Sequence, residues 1–460
     1  MKTADSILYS ILRLIKRIIA IIPLKSDLAA GVILGRIGYY FLPERRKITI
    51  DNISRAFPDN DLKWCRVTAR RVYENFGKNM MELIKFSAGK LFSRVKVSKL
   101  EKFDSGAVLL TGHIGNWELT GMSITASGRE LYPVGRRIHN KAFDRIVDDL
   151  RTVYGSHHIP YRGSIREIMR KIKENKNICI LMDQRMRSGL PLSFFGRPVW
   201  CTRIASVLWR KTKVDIVPGY SYHSKGDIQV VYDEPLEFID SGDALKSDFI
   251  NTQKQLDWLE EKIRQKPDEW FWMHNFWKDK WPAVFFDRDG TINVDRGYVS
   301  TKEKLEFLPG VFEAMREIRK AGYLIVIITN QSGIARGYYT EADYMRLNTY
   351  FMQKMKEEGV IIDRVYHCPH HPDEDCSFRK PNPGMIFKAR DELNIDLAES
   401  FVIGDKVTDI KAAENAGTKS IMVMTGYGRE HLKNASPDHT AEGLKEAVPI
   451  ILKQRQADIA

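Results

Sequence analysis

Ala283-Val284-Phe285-Phe286-Asp287-Arg288-Asp289-Gly290-Thr291 decides how this chain is read. Four consecutive apolar residues have the pattern of a strand buried on both faces of a parallel sheet. They run straight into two carboxylates one residue apart, followed by a glycine that permits a tight turn. Carboxylates so placed suit Mg²⁺-dependent phosphoryl transfer. The first can attack phosphorus, and the second can protonate the departing oxygen. A strand followed by an Asp-Gly turn is also common without such chemistry, so the partners must come from further along the chain.

They do. Leu324-Ile325-Val326-Ile327-Ile328 reads as a second buried strand, ending at Thr329-Asn330-Gln331-Ser332-Gly333. A hydroxyl and free backbone N–H groups at such a strand end form a phosphate cradle. Arg379 and Lys380 follow with cations for the transferring group, and Phe401-Val402-Ile403-Gly404 delivers Asp405, with Lys406 beside it and Asp409 one turn on. A carboxylate there suits Mg²⁺.

These four elements, in this order, resemble the haloacid dehalogenase (HAD) superfamily. Residues 283–430 resemble more narrowly the D-glycero-D-manno-heptose 1,7-bisphosphate 7-phosphatases, with histidinol-phosphate phosphatases as close relatives. The run Asn330 to Gly337 and the segment Asp295 to Val299 favour the heptose enzymes. The resemblance implies a Rossmann-like domain with a parallel sheet and no large cap. It implies Asp287 as nucleophile and Asp289 as acid/base. Asp295, Arg296, Gly297, Tyr298, Thr329, Asn330, Gln331, Ser332, Arg379 and Lys380 would line the substrate; Asp287, Asp405 and the backbone carbonyl of Asp289 would hold Mg²⁺, with Lys406 near it. A catalytic phosphatase and a phosphosugar-binding module without activity both remain open.

The loop Cys368-Pro369-His370-His371-Pro372-Asp373-Glu374-Asp375-Cys376-Ser377-Phe378 has most of a Cys-x-His, Cys-x-Cys zinc pattern. Phe378 stands where the last Cys would be. Cys368, His370 and Cys376 are left as candidate Zn²⁺ ligands, with His371 or a nearby carboxylate as candidate substitutes for the missing Cys, and a retained site and an emptied loop are both open.

The sequence before Pro282 reads as a different enzyme. Gly106 to Thr111 has the pattern of a strand and leads into Gly112-His113-Ile114-Gly115-Asn116-Trp117-Glu118. A His and a Glu five apart across a strand-to-helix junction let Glu118 orient His113, which then serves as general base on an alcohol. Asp183 closes another apolar run, Ile178 to Met182, where it can position an acceptor or support the fold. Arg136, after the strand-like Leu131 to Val134, can hold a phosphate or sugar acid. Residues 5–278 resemble the lipid A lauroyl/myristoyl acyltransferases. The resemblance rests on Asn52-Ile53-Ser54-Arg55-Ala56-Phe57-Pro58, the His113 block, Met182-Asp183-Gln184, Phe194-Phe195-Gly196 and Trp270-Phe271-Trp272-Met273-His274. Basic residues usual in that last block are replaced here by Asn275-Phe276-Trp277. The resemblance implies a membrane-bound lipid A precursor as acceptor and acyl carrier protein as donor.

Composition bounds these readings. At 460 residues and 43% hydrophobic content, the chain has room for two domains with real cores. Residues 282–460 carry 24 Lys+Arg against 27 Asp+Glu, and the remainder 48 against 32, so the basic excess lies wholly in the first part. That excess suits anionic lipid or an acidic protein; no nucleic-acid-binding signature accompanies it. Five cysteines, few and odd in number, argue for reducing cytoplasm rather than a disulfide framework. From Ile7 to Leu24 the chain is apolar but is broken by Arg13, Lys16 and Arg17, which suits a helix lying in a membrane interface better than one spanning it. The fold class expected is α/β in two domains, an acyltransferase-like domain over 1–281 and a HAD-like phosphatase domain over 282–460. The place expected is the cytoplasmic face of the inner membrane, with two steps of lipopolysaccharide assembly on one chain.

Overall fold

A computed structural model of the chain describes residues 3–21, 23–135, 140–160, 165–184, 186 and 189–457. The chain forms two compact units that do not divide at a single point. One takes Met1–Arg185, Cys201–Ile239 and Asn251–Phe276; the other takes Met186–Trp200, Asp240–Ile250 and Trp277–Ala460.

In the first unit four helices, Thr3–Ile21, Leu24–Phe41, Pro43–Ala56 and Leu62–Ser87, precede a seven-stranded sheet. The last of them starts where the Asp61 side chain accepts from the Trp64 N–H, one of the donors a helix start leaves unpaired. The sheet order is Val95–Ser98, Asp227–Tyr232, Ile216–Ser224, Val108–Thr111, Asn177–Leu181, Leu131–Gly135, Ile159–Pro160. Every pairing is parallel except that between Ile216–Ser224 and Asp227–Tyr232. Val108–Thr111 is fully buried, as its uninterrupted apolar pattern requires. It pairs with Asn177–Leu181 so that Thr111 lies opposite Leu181. His113 and Asp183 each follow two residues later, so the register alone brings them to the same sheet edge.

The first helix leaves Ile11, Leu14, Ile15, Ile18 and Ile21 exposed, and the second leaves Ile33, Leu34, Ile37, Tyr40 and Phe41 exposed. Among the described residues no helix is long and apolar enough to cross a membrane.

The second unit is built on a six-stranded, wholly parallel sheet. Its order is Arg364–Cys368, Leu324–Asn330, Ala283–Phe286, Phe401–Gly404, Lys419–Val423, His439–Ala441. The period-two alternation of a strand divides Ala283–Phe286 between two cores. Val284 and Phe286 face one, with Ile325, Ile327 and Met315. Ala283 and Phe285 face the other, with Val326, Ile328 and Met385. Phe286 lies opposite both Ile327 and Ile403, which brings Asp287, Thr329 and Asp405 to one end of the sheet. This carboxyl-end crevice is where open parallel sheets place their ligands.

Two segments from before residue 282 also belong to this unit. The strands Leu190–Phe194 and Arg197–Cys201 form a ribbon, and the Arg319 guanidinium donates to the carbonyls of Pro191 and Leu192 at 2.8 and 3.4 Å. Arg319 is also paired with Asp363 at 2.6 Å, with both side chains 1% exposed. Trp200 stacks on Trp281, ring centroids 5.1 Å apart. From the second segment, Asp243 pairs with Arg316 at 2.9 Å and Lys246 with Glu358 at 2.6 Å.

Candidate active sites

In the first unit the His113 ring meets Asp183. Nδ1 lies 2.8 Å from Asp183 Oδ1, and the His113 backbone N–H donates to Asp183 Oδ2 at 2.7 Å. Trp270 Nε1 donates to the same Oδ2 at 2.8 Å, so the carboxylate is held from three directions. Burial works against the His113 cation, but the Asp183 charge and hydrogen bond outweigh it and raise the ring's pKa. Burial likewise opposes ionised Asp183, and His113 with the surrounding N–H donors brings it below the usual carboxylate range. Such a pair can serve as a base with an orienting carboxylate.

Glu118 takes a different place from the one its spacing suggested. Its carboxylate accepts from Arg151, Oε2 from Nε at 2.7 Å and Oε1 from Nη2 at 2.5 Å, and Trp117 Nε1 donates to it at 3.2 Å. It is not hydrogen-bonded to His113; its charge helps raise that ring's pKa at longer range. Arg151 overcomes the burial that would neutralise Glu118 and keeps it ionised. The physical reason is helical geometry: Glu118 sits in the first turn of Trp117–Ala126, facing Arg151 at the end of Lys141–Arg151. Glu118 and Arg151 form part of the wall of a cavity of about 80 Å³, together with Trp117, Met122, Leu131 and Cys179. Arg136 lies outside the described residues.

Other sequence blocks converge here. Asn52 donates its amide to the carbonyls of Trp272 and His274 at 2.9 and 2.6 Å, tying the two outermost motifs together. Rings of Trp117 and His274 lie 5.0 and 5.5 Å from the His113 ring. The His274 pKa is lowered, first by burial and then by the charge of His113.

In the second unit Asp287, Asp405 and Asp409 offer carboxylate oxygens that all lie within 4.8 Å of one another, and all three residues are buried. Lys380 Nζ bridges Asp287 at 2.8 Å and Asp409 at 2.6 Å. Burial and the neighbouring Asp287 charge push Asp405 up to about 7. Asp405 Oδ1 is buried with no hydrogen-bond partner. A buried oxygen left without a donor, inside a group of three carboxylates, fits a hard divalent cation such as Mg²⁺. Gly426 is required beside it: its φ is +52°, and a Cβ there would lie 2.2 Å from Asp405 Oδ2.

Two residues of the expected Mg²⁺ site offer it no side-chain ligand, Lys406 and Asp289, the latter expected there through its backbone carbonyl. Lys406 is a cation paired with Asp295 at 2.9 Å, its pKa raised by Asp287, Asp405 and Asp295 against burial, so it is no ligand. The Asp289 side chain turns away from the three carboxylates. It takes Arg288 Nη2 at 2.9 Å, Asn293 Nδ2 at 2.9 Å and Gln331 Nε2 at 3.1 Å. Against burial, these donors bring it below the usual range. Asp409, which the sequence placed one turn past Asp405 without a role, is the third carboxylate.

The expected substrate-lining residues divide. Thr329 is buried and accepts from Gln331 Nε2 at 2.8 Å. Asn330 grips the Lys380 backbone with two hydrogen bonds of 3.1 Å, so it positions that lysine. Gly297 N–H donates to Asp295 Oδ1 at 2.9 Å, and Arg296 pairs with Glu306. Tyr298 is exposed, edge-on to Tyr338 at 4.6 Å. Ser332 carbonyl accepts from the Arg336 N–H, and Arg379 donates to the His370 carbonyl at 3.1 Å.

Cys368 Sγ lies 3.7 Å from Cys376 Sγ and 3.5 Å from His370 Nδ1. These are close to the ~3.8 and ~3.6 Å edges of a tetrahedron with metal–sulfur bonds of about 2.3 Å and metal–nitrogen bonds of about 2.0–2.1 Å. Three donors thus fit a zinc-sized ion. Phe378, at the expected fourth position, packs against the core beside Met385 and Tyr366.

Comparison with known proteins finds relatives for both parts of the chain. The family model of the bacterial lipid A biosynthesis acyltransferases matches residues 4–279. This chain belongs to that family. A HAD-hydrolase-like family model matches residues 377–447. The C-terminal region is homologous to D-glycero-beta-D-manno-heptose-1,7-bisphosphate 7-phosphatases. That of Salmonella typhi is 44% identical over 184 residues, 38% of this chain and 97% of the relative. That of Yersinia pestis is 47% identical over 183 residues, 38% of this chain and 96% of the relative. A crystal structure of D,D-heptose 1,7-bisphosphate phosphatase from B. bronchiseptica, complexed with magnesium and phosphate, is 31% identical with a TM-score of 0.36, covering 38% of this chain and 99% of its own. The lipid A acyltransferase-family protein is thus an acyltransferase and a HAD phosphatase on one chain, related to lipopolysaccharide synthesis through both parts.

Proposed function

We propose that the chain catalyses two reactions of lipopolysaccharide assembly: acyl transfer to a hydroxyl of a lipid A precursor, and removal of the C7 phosphate from D-glycero-D-manno-heptose 1,7-bisphosphate. The observation that carries the first is the His113–Asp183 pair at 2.8 Å. His113 takes the proton of the acceptor hydroxyl as its oxygen bonds to the acyl carbonyl carbon. The thioester C–S bond then breaks, and the leaving thiolate takes that proton back. The donor is a thioester of acyl carrier protein, an acidic partner for a part of the chain with 48 Lys+Arg against 32 Asp+Glu. The exposed apolar residues of Thr3–Ile21 and Leu24–Phe41, with Arg13, Lys16 and Arg17 on the former, suit attachment to the anionic cytoplasmic face of the inner membrane.

In the phosphatase unit Asp287 attacks phosphorus, the bond from phosphorus to the sugar oxygen breaks, and Asp289 gives that oxygen a proton. Asp289 then takes a proton from water, which attacks the aspartyl-phosphate and releases phosphate. Arg288 keeps Asp289 ionised in the free site, which suits the second step. An arriving phosphate dianion opposes Arg288 and raises the proton affinity of Asp289 for the first. Asp287, Asp405 and Asp409 would hold Mg²⁺, which when bound offsets the repulsion between Asp287 and the phosphate. Cys368, His370 and Cys376 would hold Zn²⁺ and fix the loop that leads to Arg379 and Lys380.

One purified chain tests both readings. Acyl transfer from a defined acyl carrier thioester is expected, and is abolished by His113→Ala. Heptose bisphosphate is expected to be hydrolysed at C7 far faster than histidinol phosphate; the reverse preference would overturn the substrate assignment and leave the chemistry.

A further inference from the structure

A second histidine lies behind the His113 turn. His223, on the strand Ile216–Ser224, places Nε2 3.0 Å from Glu82 Oε1 and Nδ1 3.1 Å from Glu269 Oε1. The two carboxylate side chains are 0% and 5% exposed. A neutral imidazole donates from one nitrogen only, so carboxylates at both nitrogens select the cation. Burial opposes that cation, yet the hydrogen bonds and charges of Glu269 and Glu82 push His223 up to about 10.

Both glutamates reach the turn that carries the base, Glu82 through its carboxylate and Glu269 through its backbone carbonyl. Glu82 Oε2 accepts from Asn116 Nδ2 at 3.3 Å, and Asn116 Oδ1 in turn accepts from the Leu119 N–H at the start of the Glu118 helix. The Glu269 carbonyl accepts from the Gly115 N–H at 2.9 Å, and Asn79 donates to the Gly115 carbonyl at 2.8 Å. Gly115 has φ +59°, and a Cβ there would fall 1.8 Å from the Ser221 carbonyl, so the turn is pressed directly onto the strand of His223. The residues after Glu269 continue the hold. Trp270 binds Asp183 at 2.8 Å, and the Phe271 N–H donates to the His113 carbonyl at 2.9 Å.

We propose that His223, bridging Glu82 and Glu269, is a positioning residue for acyl transfer. It locks together the helix, the turn and the Trp270 segment that hold His113 against Asp183. Without the bridge two buried carboxylates, left with only the Asn116 amide and the residue 223 backbone N–H as donors, lose the cation between them, and the turn and Trp270 lose their common anchor. The proposal rests on the acyl-transfer reading of the His113 site.

The test uses the full chain with His223→Gln, and Glu82→Gln as a second variant that keeps side-chain volume. The expected result is a fall in kcat on the order of 10²-fold, the scale of a small misplacement of reacting groups, with KM within about 2-fold. The acidic limb of the kcat profile is expected to move to lower pH, because Asp183 then raises the His113 pKa less. Amide exchange at Gly115 and Phe271 is expected to speed up. A folded variant with wild-type kcat and an unmoved limb overturns the proposal. So does a lower rate with unmoved limb and unchanged exchange, since that is loss of stability alone. If His223→Gln loses its near-UV circular dichroism, Glu82→Gln is read by the same criteria. If the wild-type chain transfers no acyl group, the acyl-transfer reading fails by itself, and amide exchange at Gly115 and Phe271 still decides for or against the lock.

Discussion

Asp183 Oδ1 lies 2.8 Å from Nδ1 of His113, although the two residues are 70 positions apart and the nearest acid in sequence, Glu118, turns to Arg151. Asp183→Asn keeps the shape and removes the charge that favours the imidazolium. It is expected to lower kcat for acyl transfer by ~10²–10⁴, with the acidic limb moving to lower pH. A pH–rate series on the variant and wild type checks this.

Arg151→Met leaves the buried Glu118 carboxylate without its cation. Acyl transfer is expected to fall, and Glu118→Gln in the same background is expected to restore part of the loss, because the pair is then neutral on both sides. A double-mutant cycle on kcat/KM measures the coupling. Additive losses would mean that Arg151 acts independently of Glu118.

Asp409→Asn is expected to raise the Mg²⁺ concentration needed for half-maximal phosphatase rate by at least ~10-fold. Lys406→Met is expected to change that concentration much less, since Lys406 is held by Asp295. Metal titration of the rate separates a ligand from a neighbour.

Arg319→Met strands the buried Asp363 carboxylate and the Pro191 carbonyl together. Loss of about 3–5 kcal/mol from the stability of the second unit is expected. Arg319→Met with Asp363→Asn is expected to recover part but not all of it, because the carbonyls remain unpaired. Denaturant unfolding of the two full-length variants and the wild type, followed by the stacked Trp200 and Trp281, reports the difference.

His223 gives stability a pH signature. Its folded pKa of about 10 exceeds the unfolded value of about 6.5, so its contribution is full below about pH 6.5 and is lost as pH rises through about 10. Across that window the stability of the first unit is expected to fall by at most about 1.4 kcal/mol per pH unit, and the fall is expected to be shallower in His223→Gln. Unfolding midpoints between pH 7 and 10 test it.

The sequence by itself determined the two enzyme families. Apolar runs that end in Asp287, Thr329 and Asp405 state a parallel sheet and its active edge, because a strand buried on both faces has little choice of residue and delivers its last side chains to one crevice. His113 announced itself in the same way, after Val108–Thr111. What the sequence left open is which side chains meet. His113 takes Asp183 because parallel register sets Thr111 opposite Leu181, a pairing that no local spacing encodes. Glu118 goes to Arg151, Lys406 to Asp295, and Asp409 joins the carboxylates, since each choice is made by helix rotation and by the opposite charge burial brings near. Nor does linear order reveal that residues 186–200 and 240–250 share a compact unit with 277–460. Their attachment rests on Arg319, Arg316 and Trp281, whose partners in those segments lie some 70 to 130 positions away and are chosen by shape and charge once the sheet exists.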